Sequence, residues 1–239
     1  CLLIMHKSSF SIVCCFFNEI NIVKTKFLNF LNEISDIKYE YEIIICDNKS
    51  FDGTTEFLKD LEKKYPKLKF IFNTKNLGKG GSIKEAIKNS SKDYIVIFDI
   101  DEYFLDDLVE GFKIIKEQSN VDFLIGNRIH KNNQFIYKKN FYGVKFISFI
   151  FNTLYGQKLS DTACATKIFK RKFYENFNFI KNEFDYEFEV LSVFAKNKAQ
   201  ISEFDVDYNP RTFKEGKKLR AFKDGSMILK TILHSYFKH

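Results

Sequence analysis

Residues 10–17 read FSIVCCFF, an apolar run broken only by Ser11. A strand with one wet face alternates polar and apolar side chains, because successive residues point to opposite faces. A run without that alternation suits a strand buried on both faces, as in parallel sheets covered by helices. The same kind of run recurs at YEIIIC (41–46), LKFIF (68–72), YIVIF (94–98) and VDFLIG (121–126). Between these runs the apolar residues fall at helical spacing. Ile20, Val23, Phe27, Phe30, Leu31 and Ile34 make the first such face. Phe57, Leu58 and Leu61 make the second, which stops near Pro66. Leu105, Leu108, Val109, Phe112 and Ile115 mark a helix over 104–118. A Gly-rich loop, NTKNLGKGGS, precedes a short helix expected over 81–89. Strands alternating with amphipathic helices predict an α/β fold, a Rossmann-like, mostly parallel sheet flanked by helices.

Beyond residue 127 the rhythm changes. A long aromatic helix is expected over 140–156, a basic and aromatic stretch over 166–177, and a helix over 183–197. A strand follows at 199–208, then a basic loop at 209–225 and a last helix at 226–237. With no Ser/Gly linker, residues 1–239 read as a single domain whose C-terminal half is elaborated.

The 239 residues carry 38 Lys plus Arg against 31 Asp plus Glu, so the formal charge of +7 suits an anionic partner. No nucleic-acid-binding module is readable, and nucleic acid is not expected as a partner. The five cysteines form no CxxC pair, which predicts reduced thiols in a cytoplasmic protein. The four histidines have no zinc-ligand spacing. The opening CLLIMHKSS is apolar and then basic, the reverse of a signal peptide, and Met5 is the expected start. No stretch reaches the roughly 18 apolar residues of a membrane span. The expectation is a soluble protein, or one peripheral at the inner face of the plasma membrane.

In open parallel sheets ligands bind beyond the carboxyl ends of the strands. Those ends carry Asn18-Glu19, Asp47-Asn48, the Asn76–Gly80 loop with Gly78 and Lys79, and Asp99-Ile-Asp101. The glycine loop is not a P-loop, which needs GxxxxGK[ST], nor a dinucleotide fingerprint, which follows the first strand. A turn and a nucleotide contact both remain open for it. Asp99 and Asp101, two positions apart, can aim two carboxylates at one point, where they repel unless a cation lies between them or one is protonated. A hard divalent ion takes few carboxylates together with phosphate oxygens, so Mg²⁺ or Mn²⁺ with a diphosphate is the natural partner. The competing reading, acids at a helix N-terminus, suits Asp106 and Asp107 as the start of a solvated helix.

Taken in order, SIVCCFFNE, EIIICDNKSFDGT, NLGKGGSIKEAI and YIVIFDID resemble family 2 (GT-A fold) inverting glycosyltransferases. GNR (126–128), LSDTACATKIFKR (159–171), FDYEFEV (184–190) and ISEFDVDYNPRTFKEGKKLRAFKDG (201–225) resemble the bacterial relatives of dolichyl- and polyprenyl-phosphate mannosyl- and glucosyltransferases. The resemblance implies a nucleotide-sugar-binding half (9–126) and an acceptor-side half (127–239). It places Asp47 at the base, Asp99 at ribose or metal, and Asp101 as main metal ligand, with Asn18, Glu19, Asn48, Gly78 and Lys79 around the nucleotide. Arg211 and Lys217, with Lys218, fall to the diphosphate or acceptor phosphate, Arg128 and Lys167 are further phosphate contacts, and Glu189 matches an acid of a later motif.

The implied reaction moves a hexose from a GDP- or UDP-sugar to a polyprenyl phosphate. Two alternatives stand beside it: transfer to a sugar hydroxyl of a glycan or glycolipid, and nucleotide-sugar binding without turnover. The departures from the family pattern are Cys15-Phe16 where a proline is usual, Asp47-Asn48 in place of paired acids, and an unaligned third metal contact near Glu102 or Tyr103. The helix at 140–156 keeps two readings, a membrane-interface helix beside Lys138, Lys139 and Lys145, or a helix packed between the sheet and the C-terminal segment. The sequence sets no oligomeric state.

Overall fold

A computed structural model describes residues 8–102, 104–129, 133, 135–212 and 221–238, with the side chains of 221 and 222 excepted. Its centre is a seven-stranded sheet in the order β3-β2-β1-β4-β6-β5-β7. The strands are β1 Ser9–Phe16, β2 Glu40–Asp47, β3 Lys69–Phe72, β4 Tyr94–Ile97, β5 Phe123–Asn127, β6 Lys167–Lys170 and β7 Ile201–Asp205. β1 lies between β2 and β4, paired in parallel with both. That position explains its unalternating sequence, since Phe10, Ile12, Val13 and Cys14 are all buried. β3 is an edge strand, half-buried and headed by exposed Lys69, which discourages further pairing.

β6 runs against the rest of the sheet. It pairs antiparallel with β4 and β5, so its first residue, Lys167, sits opposite Ile97 at the carboxyl end of β4. This reversal brings a residue from late in the sequence to the edge where β1, β2 and β4 end.

Helices cover both faces. Those before β5 are α1 Ile20–Ile22, which passes through a π-helical turn at Val23–Phe27 into α2 Leu28–Ile34, then α3 Thr54–Lys64, α4 Gly78–Lys88 and α5 Leu105–Glu117. After β5 come α6 Lys138–Tyr155, α7 Arg171–Tyr174, α8 Tyr186–Lys196 and α9 Ala221–Lys238. Phe112 of α5 stacks on Phe10 of β1 at 3.9 Å, and Gly111 lies against Ile168. On the other side, Phe194 of α8 packs edge-on against Phe123 and Phe169. Ile168 and Phe169 are neighbours on one strand and point oppositely, so α5 and α8 cover opposite faces. α2 packs with α5, and α4 with α8.

Three expectations are corrected. Helix α4 begins at Gly78, not 81, so much of the Gly-rich loop is the helix's own first turn. Gly80 permits this, because a Cβ there would lie 2.3 Å from the Cβ of Tyr186. The last helix begins at Ala221, not 226. In α5 Asp106 is exposed, but Asp107 is buried and accepts from the Asp207 N–H at 3.2 Å. The basic stretch at 166–177 resolves into β6 and the short α7.

Candidate active site

The carboxyl ends of β1, β2 and β4 open into a cavity of about 450 Å³. Asn48, Gly78, Lys79, Asp99, Asp101 and Glu19 line it from the first half of the chain, and Arg128, Lys167, Glu187, Tyr208 and Arg211 from the second. Apolar wall comes from Phe16, Phe98, Val144, Ile147 and Phe188.

Ion pairs cross the floor. Lys79 Nζ lies 2.8 Å from Asp99 Oδ2 and 2.8 Å from Glu187 Oε1. The other oxygen of Glu187 lies 2.6 Å from Lys167 Nζ, which also donates to the Cys164 carbonyl. Burial opposes the charge on Glu187, but Lys167 and Lys79 overcome it and hold the carboxyl down at about 2. Burial likewise works against the Lys79 ammonium, and Asp99 and Glu187 raise it above the ordinary lysine range. A second chain links Glu19, Arg211 and Asp101. Arg211 Nη1 donates to Glu19 Oε2 at 3.0 Å, and its Nε lies 2.5 Å from Asp101 Oδ2. Burial and neighbouring Asp99 push the Asp101 carboxyl up to about 6, against the pull of Arg211.

Arg128 is held differently. It makes a two-pronged bond to buried Asp161, at 2.7 and 2.9 Å, and its guanidinium lies over the rings of Tyr208 and Phe135. A planar fork fixed on one side and stacked on the other is a rigid cation facing the cavity.

Asn48 shapes the α4 entrance. Its side chain accepts from the Leu77 N–H at 2.8 Å and donates to Asn76 Oδ1 at 2.8 Å. Gly78, at φ +76°, brings the backbone so close to Asn182 that a Cβ would lie 2.3 Å from its carbonyl oxygen. Both residues therefore place Lys79.

Other expected site residues lie off the cavity lining. Asp47 is buried behind Asn48, where it accepts from Thr55 Oγ1 at 2.6 Å and leaves Oδ1 without a hydrogen bond. Asn18, at φ +52°, braces the Ser50–Phe51 turn, with Ser50 Oγ accepting from its N–H and its own Oδ1 accepting from the Phe51 N–H. Glu189 is buried and accepts from the N–H groups of Ile180 and Lys181. Lys217, Lys218 and Tyr103 lie outside the described residues. Glu187 was not singled out from the sequence. Nearly the whole of α8 is buried, so it offers no polar face to show which acid turns toward the cavity.

The donor set can be tested against a divalent cation. Among the described residues, no group of three or more His, Cys, Asp or Glu side chains is placed to hold a metal. Asp99 and Asp101 supply two hard oxygen donors at one edge, the number Mg²⁺ uses when phosphate oxygens and water complete its shell. The site fits an ion shared with a phosphate ligand and not one caged by protein alone.

A family model described as glycosyl transferase family 2 matches residues 11–177. Dolichyl-phosphate beta-glucosyltransferase of Dictyostelium discoideum is 29% identical over 230 residues, covering 89% of this chain and 68% of that protein. Its Saccharomyces cerevisiae counterpart is 27% identical over 229 residues, covering 83% of this chain and 66% of that protein. The chain thus spans about two thirds of the length of these two relatives. Among solved structures, glucosyl-3-phosphoglycerate synthase from Mycobacterium tuberculosis, in complex with Mn²⁺, uridine diphosphate and glucosyl-3-phosphoglycerate, superposes with a TM-score of 0.70. It is 12% identical, over 95% of this chain and 80% of that one, a likeness of fold. The fold is the GT-A arrangement that the sequence leads one to expect.

Proposed function

The chain belongs to glycosyl transferase family 2, and from that premise we propose that it moves a hexose from a nucleoside-diphosphate sugar to a polyprenyl phosphate, with inversion. The observation that carries the reading is the gathering of Asp99 and Asp101 with Lys79, Lys167, Arg128 and Arg211 around one cavity. Acids and bases in one pocket suit a cation-bridged diphosphate at one end and a phosphate acceptor at the other. The curated relatives named for dolichyl phosphate support the acceptor class.

Asp99 and Asp101 would hold Mg²⁺ or Mn²⁺, which supplies charge stabilisation for the leaving diphosphate. Lys79 and Arg211 flank these carboxylates, placed to meet the diphosphate oxygens as charge develops there. Preorganised cations of this kind act where the transition state gains charge. Arg128 and Lys167 line the same cavity and would orient the acceptor phosphate. Its oxygen attacks the anomeric carbon from the side away from the diphosphate, forming one C–O bond as the other breaks. Glu187, locked between two lysines at about 2, is too weak a base to deprotonate a sugar hydroxyl. A phosphate acceptor, already anionic, needs no such base, whereas a sugar hydroxyl would need one from another carboxylate of the cavity, such as Asp101.

The test pairs binding with turnover. Purified protein is melted with UDP, GDP and their sugars, with and without Mn²⁺, and then incubated with a short-chain polyprenyl phosphate. A metal-dependent rise in Tm and a glycosyl-phosphoprenol product are expected, both lost in Asp101→Asn. Product formed only on a sugar hydroxyl would move the assignment to the alternative. No response to any nucleotide would end the enzyme reading.

A further inference from the structure

Helix α6 has one buried side, carrying Ile147, Ser148 and Phe151. The other side is unusual for a surface. Tyr142, Phe146 and Phe149 are 67%, 57% and 68% exposed. At 100° per residue they share one face, and exposed Lys138 and Lys145 fall on that same face. Over its 18 residues the helix contains no Asp or Glu. Single exposed apolar residues are ordinary, but three large aromatics in register with lysines are a patch that calls for a partner.

We propose that this face of α6 docks on an anionic lipid bilayer, aromatics in the headgroup–acyl boundary and lysines on the lipid phosphates. Lys138 and Lys145 are complementary to an anionic surface, and no acid on the helix opposes it. The same helix also reaches the cavity, which Lys139, Asn140, Gly143, Val144 and Ile147 line from its other side. No helix among the described residues is long and apolar enough to cross a membrane, so this contact lies on the bilayer surface. The inference rests on the polyprenyl-phosphate reading for its purpose but not for its test.

The experiment is co-sedimentation of the full chain with vesicles of phosphatidylcholine, alone or mixed with phosphatidylglycerol. Wild type is expected to pellet with the mixed vesicles and to be released by salt. The Tyr142→Ser/Phe146→Ser/Phe149→Ser variant should bind at least about tenfold more weakly. Lys138→Gln/Lys145→Gln should lose about fivefold per lysine, and only on anionic vesicles. All three substituted aromatics lie off the cavity lining, so the Tm shift with UDP and Mn²⁺ stays at the wild-type value and certifies the fold. Failure of wild type to bind anionic vesicles, or equal binding by the aromatic variant, overturns the proposal. So does a wild-type dimer in sedimentation velocity that the aromatic variant abolishes, since a second copy would then be the occupant. Vesicle binding through this face without transfer to polyprenyl phosphate would leave the surface standing and remove only the acceptor reading.

Discussion

Replacing Glu187 by Gln keeps the shape of the side chain and removes the charge that buried Lys167 and part-buried Lys79 share. Its carboxyl is held at about 2 against an ordinary 4.5, and each pH unit of displacement is worth roughly 1.4 kcal/mol. The charged form is thus favoured by about 3 kcal/mol, the range expected when a buried ion pair loses one member. Lys167, 1% exposed, bears most of the loss, because its other bond is to the Cys164 carbonyl. Lys79 keeps Asp99. The assay is urea unfolding of wild type and Glu187→Gln near neutral pH, where the variant should be about 3 kcal/mol less stable. The pH dependence has a definite sign. The folded carboxyl sits below its unfolded value, so its contribution is complete above about pH 4.5 and is lost as pH falls toward 2. The gap between the two proteins should therefore narrow in acid. Adding Lys167→Met should restore much of the loss, since the orphaned charge goes with it. A Glu187→Gln penalty below about 1 kcal/mol at neutral pH would refute the reasoning.

Further outcomes follow from the same geometry. Gly80→Ala puts a Cβ 2.3 Å from Tyr186 Cβ and should cost about 1–3 kcal/mol, read by thermal melting. Arg128→Met strands the buried Asp161 carboxylate and should cost about 3–5 kcal/mol, while the double change with Asp161→Asn should cost less. Burial pushes the Asp107 carboxyl up to about 6 against the Asp207 N–H, so its ionised form destabilises the fold above that pH. Asp107→Asn should therefore be the more stable protein at about pH 8 and lose its advantage as the pH falls through about 6 toward about 4 in urea titrations.

What the sequence reveals divides along physical lines. β1, β2, β4 and β5 are legible because burial on both faces forces unbroken apolar runs, and no other element requires them. β6 is not, because KIFK is four residues long and begins with a lysine that burial among partners makes compatible with the interior. Hydropathy patterns count such a lysine as solvent-facing. The start of α4 is hidden because glycine ordinarily argues against helix, whereas here Gly78 and Gly80 answer to Asn182 and Tyr186, more than a hundred positions away. The strand-end carboxylates could be named in advance because parallel strands must end on one edge. That Asp99 meets Lys79, and Asp101 meets Arg211, depends on long-range packing that no local spacing encodes.

The reversed strand β6 also bears on how the molecule could be cut. β4 finds its outer neighbour not in the preceding sequence but in residues 167–170, and β5 pairs with β6 and β7, both from the later half. Dividing the chain at 126/127 would strip β4 of that neighbour and leave YIVI, wholly buried in the intact sheet, as a bare hydrophobic edge. Such an edge templates aggregation. A fragment ending at 126 should express poorly alone and recover when the remainder is supplied in trans. The seam suggested by the motifs is not a place where the polypeptide can be split without a partner.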